Sequence, residues 1–216
     1  MKWFAVGAAA TAALMFVGSP ARADDASAKF AELFTNVCLD KFGNLDKIED
    51  WANDQNLAPI TNPQALAMFA GRPNMDGTMR SFAGGGVPGS GKAWAVHEPA
   101  GRFVVATRLD PESCVAWAQQ ADPADVEAAF AKMVETSSAP GSDVKLVEDK
   151  KADIPNGQVH IRVYRIWLGS AMNSFALVMA AVSRSGGPFQ AMLETQRVFD
   201  RDDIINPMVP LVPPPS

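Results

Sequence analysis

The sequence predicts an α+β domain, with N-terminal helices packed on a mainly antiparallel sheet and one further covering helix. Three observations carry this. Hydrophobic residues between positions 30 and 70 recur at the three-four spacing of helical faces. From Lys92 onward the period changes to two, in short runs separated by turn residues. A single strongly amphipathic segment, 123–136, interrupts those runs.

The elements follow in order. Phe30, Leu33, Phe34, Val37 and Cys38 share one helical face, and Gly43 ends that helix. Leu45, Ile48 and Trp51 mark a second helix over 45–56. Asn62 caps a third that starts at Pro63 and turns Leu66, Phe69 and Ala70 inward. Strands are predicted over 92–97, 102–108 and 114–119, with turns at Pro99-Ala100-Gly101 and Asp110-Pro111-Glu112. Asp122 caps and Pro123 starts the covering helix, whose inward stripe is Val126, Ala129, Phe130, Met133 and Val134. Further strands are predicted over 144–148, 159–168, 174–183 and 189–198, with turns at Asn156-Gly157 and Gly186-Gly187. The 174–183 run is apolar on both faces, as a covered central strand would be, and a buried helix is the alternative.

The domain plan is a signal peptide over 1–23, a single domain over 24–205 and a proline-rich, disordered tail over 206–216. Within the domain a helical part (24–83) meets a sheet part (92–205) through a glycine-rich connector (84–91). Lys2, the apolar run to Val17 and the small residues Ala21 and Ala23 have the form of an export signal cleaved after Ala23. That places the chain in the periplasm, or secreted beyond it. Elsewhere no apolar run approaches the roughly 20 residues of a membrane span.

The 216 residues carry a formal charge of −5, which loss of Lys2 and Arg22 would take to −7. A nucleic-acid binder needs a basic face, so that class is excluded. With 48% hydrophobic and 20% charged residues, the chain has the balance of a globular protein. In an oxidising compartment its two cysteines, Cys38 and Cys114, are expected to pair, tying the helical part to the sheet. Two buried thiols are the alternative.

Several motifs fail on context. Gly86–Lys92 fits G-x-x-x-x-G-K, but Ala93 stands where the magnesium-binding hydroxyl belongs, and a strand rather than a helix follows. No cofactor is expected, and no metal set. Trp51, Trp94, Trp117 and Trp167 read as packing residues. His97 and His160 are the only histidines. His97 precedes Glu98. His160, Arg162 and Tyr164 alternate along one strand and so share a face.

The export signal, a helix with one cysteine (34–42) and a strand opening with Cys114-Val115 resemble short uncharacterised exported proteins of proteobacteria. That resemblance implies no activity and no site residues. The leading expectation is a non-catalytic binding or accessory protein whose partner is an envelope protein or a small ligand. The alternative is a small hydrolase or metal-dependent enzyme. There His160 would be base or ligand, His97 and Glu98 its companions, and Arg162 the holder of an anionic group. It requires the strands of His97 and His160 to be neighbours. A carrier of a lipid or small apolar ligand is the third reading.

Overall fold

A computed structural model describes residues 23–70, 91–109, 112–137, 141–154, 157–167, 174–183 and 189–198. The predicted signal segment before Ala23, the predicted connector before Gly91, the proline-rich tail and the predicted turn residues Asn156, Gly186 and Gly187 lie outside the described residues.

Helix α1 (Ala23–Leu33) runs without a break into a π-helical segment, Phe34–Leu39. The α-spacing read from the sequence changes there. Asp40 N–H reaches back five residues to the Thr35 carbonyl. This wider turn keeps Phe34, Val37 and Cys38 all buried. Gly43, at φ +84°, then turns the chain, a conformation that favours glycine. Asn44 caps α2 (Leu45–Asp54) through its side chain. Asn62 Oδ1 accepts from the amides of Gln64 and Ala65 and so caps α3 (Pro63–Ala70). Asp122 does the same for α4 (Pro123–Ser137), accepting from Ala124 and Asp125.

Seven strands form one antiparallel sheet: β1 (Lys92–Glu98), β2 (Gly101–Leu109), β3 (Glu112–Ala118), β4 (Asp143–Ile154), β5 (Gly157–Trp167), β6 (Ser174–Val182) and β7 (Ala191–Val198). Their order is β1-β2-β3-β7-β6-β5-β4. After β3, α4 carries the chain across the sheet to the far edge, and three hairpin steps bring it back until β7 lies beside β3. β6 lies inside the sheet and is buried on both faces, as its apolar run predicts. β4 is longer than expected. Its second half, Asp149–Ile154, is rich in charge, which suits an edge strand that must not pair with another sheet. A register shift between Leu146 and Glu148 leaves Val147 exposed.

The helical part is not one layer. α1, the π-helical segment, α2 and α4 cover the first face of the sheet. There Phe30, Phe34, Ile48 and Phe130 meet Phe103, Val105, Leu177 and Leu193. α3 packs on the second face, where Phe69 stacks edge-on against Trp117 and Phe189. Both periodicities were amphipathic, and nothing in a single helix's stripe says which side of a sheet it will cover. Gly91 sits where the chain passes between α3 and β2. A Cβ there would stand 2.5 Å from the Thr107 carbonyl oxygen and 2.8 Å from Ala70 Cβ. Lys92 opens β1 and pairs with Glu49, so the residue that mimics a phosphate-loop lysine has a structural role.

Cys38 and Cys114 form a disulfide with a Cα–Cα distance of 5.3 Å across 76 residues of sequence. A closure of that length contributes about 4 kcal/mol by chain-entropy arguments. α1 and α4 are joined by Ser27 Oγ, which accepts from the Asp122 amide at 2.8 Å.

The second face also buries an ion pair. Arg108 Nη1 donates to Glu194 Oε1 at 2.8 Å, and both side chains are almost fully buried. Burial pushes the Glu194 carboxyl up, against the opposite pull of Arg108. Replacing Glu194 with Ala leaves the Arg108 charge buried without its carboxylate and is predicted to remove about 3–5 kcal/mol. The double replacement Arg108→Met with Glu194→Leu is expected to recover most of that loss. Urea unfolding at neutral pH measures both, and a single variant as stable as wild type would contradict this reading.

Candidate functional site

The polar face of β5 lies under α4 and beside β4. His160 is buried and held on both sides. Its Nδ1 lies 2.7 Å from Glu127 Oε1 on α4, and its Nε2 lies 2.7 Å from Asp149 Oδ1 on β4. Both contacts are hydrogen bonds at once when each ring nitrogen carries a proton. Arg162 Nε donates to the other oxygen of Asp149 at 3.0 Å. The His160 hydrogen bond holds the Asp149 carboxyl below its ordinary value, with Arg162 adding to the pull and partial burial opposing it. Lys151 lies opposite His160 in the β4–β5 register. Tyr164, one pleat further on, packs on Phe130 of α4 with ring centroids 5.9 Å apart.

The predicted row of His160, Arg162 and Tyr164 is therefore real, and Asp149 joins its first two members. His97 is elsewhere. It is exposed on the edge strand β1, and five strand steps separate β1 from β5. At the usual spacing that is about 24 Å along the sheet. The requirement that the strands of the two histidines be neighbours is not met, so a site shared by His97 and His160 is overturned. His97 and Glu98 instead line a polar cleft of about 290 Å³ with Lys29, Glu32, Trp51 and Gln55. Within it Lys29 bridges Glu32 at 3.2 Å and Glu98 at 3.8 Å. Glu127 and Asp149 stand at different nitrogens of the His160 ring, whereas metal ligands converge on one point at about 2 Å. Among the described residues no group of three or more His, Cys, Asp or Glu side chains could hold a metal ion.

A second cavity, of about 490 Å³, opens at the other end of the helix-covered face. Its walls are Leu39 and Phe42 after the π-helical segment, Ser137 at the end of α4, Ser174 and Phe175 at the start of β6, and Thr195 and Arg197 on β7. Register explains the set. Thr195 lies opposite Cys114 and Leu177, and Arg197 lies opposite Phe175. The disulfide at Cys38 fixes the neighbouring Leu39 over this row. Phe42 and Phe175 pack with centroids 5.6 Å apart, and Arg197 lies 5.8 Å over the Phe42 ring. Arg197 Nε donates to Glu112 Oε2 at 2.6 Å. Gly43 admits the guanidinium, because a Cβ there would stand 3.1 Å from Arg197 Nη2. Ser174 Oγ donates to the Val198 carbonyl. Thr195 is fully buried, and its Oγ1 has no hydrogen-bond partner among the described residues.

Sequence reasoning missed Glu127, Asp149 and every lining residue of this cavity as site residues. Asp149 lies one residue past the predicted end of its strand. The cavity residues come from four separate elements, and only the register brings them together.

Compared with family models, with curated proteins and with solved structures, the chain gives no match.

The Asp149 geometry fixes a pH dependence. Its folded value is depressed, so its contribution to stability is fully present above the ordinary carboxylate value of about 4 and is lost as pH falls through the lower, folded value. Asp149→Asn should destabilise the protein at neutral pH, with the gap to wild type closing in acid. Urea midpoints taken from about pH 2 to pH 7 test this, and a gap that stays constant across that range would refute it.

Proposed function

We propose that this chain is an exported, non-catalytic binding or accessory protein that works in the periplasm after removal of residues 1–23. The observation that carries the reading is the engagement of His160. The residue best suited to act as a base has both ring nitrogens on carboxylates from α4 and β4, a tie between helix and sheet. A general base needs a free lone pair within reach of substrate. The Cys38–Cys114 disulfide supports export, because such bonds persist in oxidising compartments. No helix among the described residues is long and apolar enough to cross a membrane.

Between the two kinds of partner, an envelope protein or a small ligand, the cavity bounded by Phe42, Phe175 and Thr195 favours the small ligand. Its size falls in the range of small-molecule sites, and its lining is apolar with a few polar groups. This is the carrier reading, with a site now attached to it. The likeness to short exported proteins of proteobacteria fits the same compartment.

Native mass spectrometry on the protein taken from the bacterial envelope without reducing agent tests the proposal. The expected species begins at Asp24, is two hydrogens lighter than the dithiol form and carries a reproducible small-molecule adduct. A chain that retains residues 1–23 with both thiols reduced would overturn the export reading. A bare oxidised chain would overturn the small-ligand reading.

A further inference from the structure

The cavity at the end of β6 and β7 has a chemical polarity that specifies more than its size. This inference rests on the small-ligand reading and names the ligand class. One side is aromatic and aliphatic, from Leu39, Phe42 and Phe175. The other carries Arg197, the one charged residue of the lining among the described residues. A guanidinium has five N–H donors, and Glu112 takes the one on Nε. The Nη groups form the planar fork that matches a carboxylate in two parallel hydrogen bonds. Arg197 is only partly exposed, so such a bond would form away from bulk water. Thr195 adds a buried hydroxyl whose hydrogen-bonding capacity is unused among the described residues. Ser137 stands at the C-terminal end of α4, where carbonyl oxygens concentrate partial negative charge. An anionic head is therefore repelled from the α4 side and drawn to the β7 side.

We infer that this cavity binds a small monocarboxylate with an apolar body, its carboxylate on Arg197 and its apolar part against Leu39 and the packed Phe42–Phe175 pair. Glu112 competes with the ligand for the same guanidinium and sets the affinity low enough for release. The disulfide belongs to the site, since Cys38 holds Leu39 in place and Cys114 lies beside Thr195.

Titration of the full oxidised protein with octanoate, and separately with 1-octanol, tests this by backbone amide NMR shifts. Octanoate is expected to bind saturably, with the largest shifts at Leu39, Phe42, Phe175 and Thr195, and about tenfold more tightly than octanol. Arg197→Gln should weaken octanoate by a similar factor and leave octanol unchanged. Glu112→Gln, which keeps the arginine and removes the negative charge beside it, should tighten octanoate. A merely structural Glu112–Arg197 pair would not give opposite effects from its two halves. Equal binding of octanoate and octanol in the cavity would overturn the carboxylate assignment and leave the small-ligand reading standing. Shifts outside the cavity, or none with either probe, would overturn both.

Discussion

The disulfide between Cys38 and Cys114 is the constraint on which the rest depends. It joins the π-helical segment to the strand at the centre of the chain's topology, where β3 meets β7. α1 already touches the sheet through Phe30 stacked on Phe103. That contact is apolar and non-directional. The covalent bond fixes both the rotation and the height of the segment over the sheet. Leu39 and Phe42 then stand above Thr195 and Arg197, and a cavity exists between them. The wider π turn belongs to the same solution, since it keeps Phe34, Val37 and Cys38 buried together.

The ionisable groups fall into two kinds by what holds them. Arg108 and Glu194 are sealed under α3, where burial raises the carboxyl and the pair is a fixed part of the packing. Glu127, His160, Asp149 and Arg162 form a chain at the sheet's far edge, nearer to water, that ties α4 to β4 and β5. In the cavity, by contrast, Arg197 is held among the described residues at Nε by Glu112, with its Nη donors in reserve there. That difference in saturation, more than any motif, separates structural polar groups from those with capacity for a ligand.

The α+β plan was legible because the hydrophobic period changes at Lys92 and again around the 123–136 segment, and because Asn62 and Asp122 cap their helices by the expected geometry. The disulfide was legible from the expected export and from the count of two cysteines. The polar row of His160, Arg162 and Tyr164 followed from alternation alone. What could not be read depends on tertiary register. The predicted strand ends at Glu148, where the apolar alternation gives way to Asp149, Lys150 and Lys151, whereas these charged residues continue β4 as an edge strand. Asp149, the first residue beyond that predicted end, was hidden by it. That α3 covers the opposite face from α1 could not be read, because amphipathic stripes carry no label for which side of a sheet they cover. The distance between His97 and His160 depends on the order β1-β2-β3-β7-β6-β5-β4, which follows from the α4 crossover and not from any local signal.

The central claim is that one covalent tie positions the helical layer and so builds the cavity. Hydrogen exchange by mass spectrometry, comparing the oxidised protein with the protein reduced at Cys38 and Cys114, tests it most directly. The account predicts faster exchange on reduction in peptides covering residues 34–44, with β5 and β6 still protected by their ladders. Unchanged protection over 34–44 in the reduced protein would show that packing alone holds the segment, and would contradict the account.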